Sequence, residues 1–133
     1  MHTLSVLLVE DSDFLAQQIE DGITGTRIDV TRVGTASEAE DVVSEQPIDC
    51  VLTNHGLPDT TGIALADNLP ATVPVVLLTA TALDEVSEDA LEAGVTEFYR
   101  KDALSDMESG NFDILQNRIR VAFTASQWKQ TRT

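Results

Sequence analysis

Glu10 and Asp11 stand side by side directly after the apolar run Leu4–Val9. Two further runs close on a polar residue: Ile48–Thr53 gives way to Asn54, and Val75–Leu78 to Thr79. A run over 95–99 leads to Arg100, Lys101 and Asp102. Paired carboxylates beside an amide oxygen form a hard-oxygen set of the kind Mg2+ takes. A hydroxyl and an ammonium together suit a phosphoryl group, because both donate hydrogen bonds to its oxygens. Lys101 draws further notice because the chain has just one other lysine, Lys129. Singly, each residue has an ordinary explanation. Glu10 and Asp11 would start a helix, Thr79 would end a strand, Lys101 would be solvated, and His55 would be a loop histidine rather than a phosphohistidine. Their chemistry matters only if the chain brings them together.

The hydrophobic pattern predicts that it does. Leu4–Val9 reads as a strand, and Ser12 or Asp13 can cap a helix with Leu15, Ile19 and Ile23 in phase, ended by Gly22 and Gly25. Residues 27–33 alternate as a second strand. Thr35 to Glu38 has the spacing of a capping box, ahead of a helix with Ala39, Val42 and Val43 on one face and Pro47 as its stop. The third strand, 48–53, breaks into Asn54-His55-Gly56-Leu57-Pro58, and a short helix spans Gly62 to Leu69. The fourth strand is Val75–Leu78. An acidic helix over 84–93 stops at Gly94, the fifth strand covers 95–99, and Phe112, Leu115, Ile119 and Phe123 stripe a last helix. Five strand–helix pairs predict a doubly wound α/β fold, a parallel sheet with helices on both faces. The first, third and fourth strands are apolar throughout, as central strands must be, whereas the second and fifth alternate. That places the sheet in the flavodoxin-like order 2-1-3-4-5. Right-handed crossovers then bring Glu10, Asp11, Asn54, Thr79 and Lys101 to one edge, where ligands bind in such sheets.

These pieces, in this order, resemble a response-regulator receiver domain, the phosphoacceptor module of two-component signalling. The resemblance covers roughly residues 4–124. It rests on Leu8-Val9-Glu10-Asp11, Leu57-Pro58-Asp59-Thr60-Thr61-Gly62, Leu77-Leu78-Thr79-Ala80 and Gly94-Val95-Thr96-Glu97-Phe98-Tyr99-Arg100-Lys101. It implies that Glu10, Asp11 and the Gly56 carbonyl are the metal ligands. It further implies that Thr79 binds the phosphoryl group, that Phe98 is the rotating switch aromatic, and that Lys101 bridges to the acceptor. The acceptor position, four residues before Pro58, is Asn54 here. An acyl phosphate needs an anionic oxygen nucleophile, and an amide offers none. Loss of that carboxylate also weakens Mg2+ binding. It relieves a like-charge repulsion of about 4 kcal/mol per pair at about 4 Å and an effective dielectric near 20. A second departure is Asp102, where the family usually has proline, often after a cis bond; without proline the cis preference is gone.

The expected function is therefore a stand-alone, non-enzymatic receiver that acts by phosphorylation-independent contact with a sensor histidine kinase or another signalling protein. Mg2+ would bind weakly. The face of the acidic helix, the fifth strand and the last helix is the candidate contact and dimer surface, as the resemblance implies. One alternative is a conventional phosphoacceptor in which Asn54 is an engineered substitution or in which Asp59 or Asp13 is used. Another is a small flavin- or nucleotide-binding protein, disfavoured because Glu10 and Asp11 occupy the turn where a glycine-rich phosphate loop would lie.

Composition bounds these readings. The chain's 133 residues suit one domain, with a core over about 4–124 and a polar tail over 125–133 containing Trp128. Its 23 acidic residues outnumber 8 basic ones, for a net charge of -15, which repels nucleic acid and anionic membranes. The acidic, lysine-poor composition resembles that of haloarchaeal proteins. No apolar run reaches the roughly 20 residues that span a bilayer, and no signal sequence opens the chain, so a cytoplasmic location is expected. Cys50, the single cysteine, reads as a small buried hydrophobe.

Overall fold

The computed structural model describes residues 3–23, 27–70, 72–79, 95–100 and 111–131, with 79, 96–100, 111–114 and 128–131 described by their backbone. The acidic helix expected over 84–93 lies outside these residues, as do Lys101 and Asp102.

Strands β1 (Leu4–Val9), β2 (Ile28–Val33), β3 (Cys50–Asn54), β4 (Val75–Thr79) and β5 (Val95–Arg100) form one parallel sheet in the order β2-β1-β3-β4-β5. Successive side chains of a strand leave opposite faces of the sheet, and here both faces are covered. On one side Leu4, Val6, Leu8, Cys50, Leu52, Val76 and Leu78 pack under helices α1 (Asp13–Ile23) and α4 (Asn111–Thr131). On the other, Leu7, Val9, Val51, Val75 and Leu77 pack under α2 (Ala36–Glu45) and α3 (Gly62–Asn68). β3 is buried at every position, while β2 alternates with exposed Asp29, Thr31 and Arg32, as an edge strand should. A register shift at Val75/Val76 lets β5 carry one residue more than β4 opposite it.

Helix starts follow their sequence signals. Ser12 Oγ accepts from Leu15 N at 3.4 Å, so Ser12 rather than Asp13 is the cap of α1. Thr35 Oγ1 accepts from Glu38 N at 3.2 Å. The reciprocal carboxylate, Glu38 Oε1, accepts from Gly34 N at 3.3 Å, one residue earlier than the usual capping box places it. Thr61 Oγ1 accepts from Ala64 N and starts α3. Arg27, at φ 65°, makes the left-handed turn into β2, a conformation that costs a non-glycine residue roughly 1–2 kcal/mol.

Two boundaries differ from expectation. β3 starts at Cys50 and runs through Asn54, so the amide belongs to the strand rather than to the turn beyond it. The stretch from 125, expected as a polar tail, belongs to the last helix. It continues through Thr131, and Ser126, read as part of a polar tail, is buried and donates to the Thr72 carbonyl at 2.7 Å. A serine that bonds across to another loop leaves no hydrophobic signal in the sequence.

Candidate functional site

The carboxyl ends of β1 and β3 are adjacent, with Val9 opposite Thr53. Glu10 and Asn54 each follow by one residue, so their side chains meet at the sheet edge. Both are buried, Glu10 at 0% and Asn54 at 8% exposure. Asn54 Nδ2 donates to Glu10 Oε2 at 3.0 Å and to the Gly56 carbonyl at 2.7 Å. Glu10 Oε2 also accepts from Asp11 N at 3.1 Å. One amide nitrogen thus spends both its hydrogens on two oxygens. Turned over, Oδ1 would face two acceptors, so the donor and acceptor chemistry fixes the orientation. A hydrogen bond to a charged group is worth about 1.5–3 kcal/mol, and a buried amide left unpaired costs about 1–3 kcal/mol. The amide is therefore held firmly.

The chain after Asn54 is shaped to keep this geometry. His55 N donates to the Leu78 carbonyl at 2.8 Å, which extends the β3–β4 ladder by one residue. Gly56 bridges back to Thr61, Leu57 N donates to Thr60 O at 3.0 Å, and Gly62 N donates to His55 O at 2.7 Å. The loop is a closed turn as a result. Gly62 permits the close approach: a Cβ there would lie 2.6 Å from the Asn54 carbonyl and 2.7 Å from Leu77 Cδ1. His55, expected in solvent, is half-buried, and its Nδ1 has no hydrogen-bond partner among the described residues.

The neighbouring acids are already engaged. Asp59 Oδ1 and Oδ2 accept from Ala36 N and Ser37 N, both at 3.0 Å, at the start of α2. The Ala36 and then the Ser37 hydrogen bond hold its carboxyl below the usual carboxylate range. Asp13 pairs with Arg32 at 2.5 Å, and the same Arg32 Nη2 lies 3.4 Å from the Glu10 carbonyl. Asp11 is exposed. At the other end of β3, burial pushes the Cys50 thiol up to about 12, so it is a core group and not a reactive one.

The structure therefore brings Glu10, Asn54 and Gly56 together. Thr79 ends β4 next to Arg100, and Leu78 pairs with Asn54, which puts the Thr79 backbone one step beyond the site. Phe98 lies on β5 opposite Leu77 by its backbone. Lys101 follows that strand outside the described residues. Two contributors escaped the sequence reading. One is Asp59 as the cap of α2, a contact 23 residues apart. The other is Arg32, whose signal was available: it is one of only 8 basic residues and sits at the end of the strand beside Glu10.

The residues present do not fit a divalent cation in this arrangement. Of the three oxygens that the resemblance assigns to it, the Glu10 carboxylate and the Gly56 carbonyl are joined by the Asn54 amide, and Asp11 remains alone. Among the described residues no three His, Cys, Asp or Glu side chains are grouped to hold a metal ion.

The sequence profile of the response regulator receiver domain matches residues 6–109. The chain is 28% identical over 105 residues to the response regulator protein PilR of Pseudomonas aeruginosa, 76% of this chain and 23% of that one. It is 25% identical over 118 residues to the transcriptional regulatory protein KdpE of Staphylococcus aureus, 87% of this chain and 48% of KdpE. The sensor histidine kinase RcsC of Salmonella typhimurium matches at 26% over 120 residues, 88% of this chain and 13% of RcsC. The chain thus spans half or less of each of these relatives. Among solved structures, the receiver domain of the Francisella response regulator 1452 superposes with a TM-score of 0.79 at 22% identity, covering 92% of this chain and 98% of that one. The receiver domain of an HD domain-containing protein from Pseudomonas fluorescens gives a TM-score of 0.82 at 16% identity, covering 100% and 96%. With a matching profile over most of its length and the sheet order of that fold, the chain belongs to the response regulator receiver domain family of two-component signalling.

Proposed function

We propose that this receiver carries Asn54 at the phosphoacceptor position and signals by protein–protein contact independently of phosphorylation. The observation that carries the reading is the Asn54 amide, whose Nδ2 donates to Glu10 and Gly56. A nucleophile is absent at that position, and the group standing there is a hydrogen-bond donor, locked in place. The other acids weighed as acceptors, Asp59 and Asp13, are committed to the α2 cap and to Arg32. The partner would be a sensor histidine kinase or another protein of the same signalling chemistry, and a net charge of -15 argues against nucleic acid as a direct ligand. Thr79, Phe98 and Lys101 would be the inherited switch residues, and the acidic surface would suit a high-salt environment.

The test is treatment with acetyl phosphate or phosphoramidate in the presence of Mg2+, followed by intact mass. Wild-type protein should gain no phosphoryl adduct, and Asn54→Asp should gain one if Thr79 and Lys101 stand ready. A near-stoichiometric adduct on the wild type would overturn the proposal.

A further inference from the structure

We infer that the Asn54 amide takes the place of the divalent cation and makes the domain indifferent to Mg2+. The inference rests on reading position 54 as the acceptor position.

The amide and a cation compete for the same oxygens. Glu10 Oε2 and the Gly56 carbonyl both accept from Nδ2, at 3.0 and 2.7 Å. Glu10 Oε2 accepts from two N–H donors, Asn54 Nδ2 and Asp11 N. A cation reaching these oxygens must turn the amide away and break two hydrogen bonds at a residue that is 8% exposed. Asp11 alone remains outside the bridge, and its carboxylate is solvated. Mg2+ gives up its water reluctantly, and one exposed carboxylate is poor compensation.

Charge balance agrees. Asn54 removes one negative charge from the cluster. Arg32 brings a positive charge to the same loop, hydrogen-bonding the Glu10 carbonyl while paired with Asp13. The pocket thus holds partial positive charge on the amide hydrogens and a guanidinium beside the β1–α1 loop, both supplied by the chain itself.

Replacing the donor should restore the demand for metal. Asn54→Asp sets a second carboxylate against Glu10 and frees the Gly56 carbonyl. Asn54→Ala frees both oxygens without adding charge.

The test is a Mg2+ titration of the full chain and both variants in molar KCl, so that screening of the -15 net charge is constant. The readout is the backbone 1H–15N resonances of Asp11, His55 and Gly56. Wild-type resonances should show no saturable shift through millimolar Mg2+. Asn54→Asp should saturate with at least about tenfold tighter affinity, and Asn54→Ala should also bind more tightly than wild type. Saturable wild-type binding as tight as that of Asn54→Asp would overturn the inference. So would an Asn54→Ala variant that binds no better than wild type, because the bridge would then not be what excludes the ion. Intact mass on the same samples separates this inference from the one beneath it. Wild type that binds Mg2+ but takes no phosphoryl group contradicts the cation substitution alone. Wild type that is phosphorylated at another residue while ignoring Mg2+ contradicts the proposed function alone.

Discussion

At the scale of single residues, the site depends on one nitrogen and on the backbone that brings it into place. Asn54 donates twice, and Gly62 leaves room for the Asn54 carbonyl. Adding one methyl at Gly62 would place it 2.6 Å from that carbonyl oxygen and 3.2 Å from His55 Cα, both backbone atoms that yield only if β3 shifts. Gly62→Ala should therefore destabilise the protein by about 1–3 kcal/mol, the usual cost of overpacking. It should also move the Asn54 and Gly56 resonances. A denaturant midpoint equal to wild type would show that the close approach relaxes freely. The residue type at position 54 was legible in the sequence, because its place four residues before Pro58 marks it. The double hydrogen bond was not legible. It depends on which way a side-chain amide turns, and that is set by Glu10, 44 residues away.

At the scale of elements, the turn after β3 is fastened to α2. Asp59 accepts from the first two backbone N–H groups of that helix, satisfying donors that a helix start leaves open. The carboxylate is favoured over the acid by these bonds, so its pKa in the folded protein lies below the ordinary value. A group with a lowered folded pKa contributes stability that is present above its unfolded pKa, about 3.9. That contribution is lost as pH falls through the folded value. Asp59→Ala should lower the thermal midpoint at neutral pH and leave the acid-unfolding profile less steep below about pH 4. Equal acid profiles for wild type and variant would show that the cap contributes nothing. Strand order, helix phases and the Thr35 cap were all readable, because each rests on local period or local spacing. The Asp59 cap and the length of α4 were not. Asp59 reaches across the fold, and the buried contact near the end of α4 is Ser126 bonding to Thr72, which leaves no apolar signal.

At the scale of the whole molecule, charge sets the conditions under which the fold is comfortable. A chain of 133 residues with net charge -15 repels itself in dilute salt. The Debye length shrinks from about 10 Å at 0.1 M to about 3 Å at 1 M salt. The thermal midpoint should rise steeply with KCl over that range, more than for a receiver of near-neutral charge measured alongside. A flat midpoint would contradict adaptation to salt. Such a surface was evident from composition alone, since exposed charge requires no knowledge of the fold. Beneath it the central strands β1, β3 and β4 carry no charged residue, and they pack under α1 and α4 on one face and under α2 and α3 on the other.

The bridge from Asn54 to Glu10 and Gly56 carries the whole account, and side-chain hydrogen exchange tests it most directly. The Asn54 Nδ2 protons should exchange with D2O at least about tenfold more slowly than those of Asn68, an exposed amide at the end of α3. Glu10→Gln should accelerate that exchange. Equal rates for Asn54 and Asn68 in the wild type would contradict the account, because an amide free to exchange with solvent cannot hold the place of a cation.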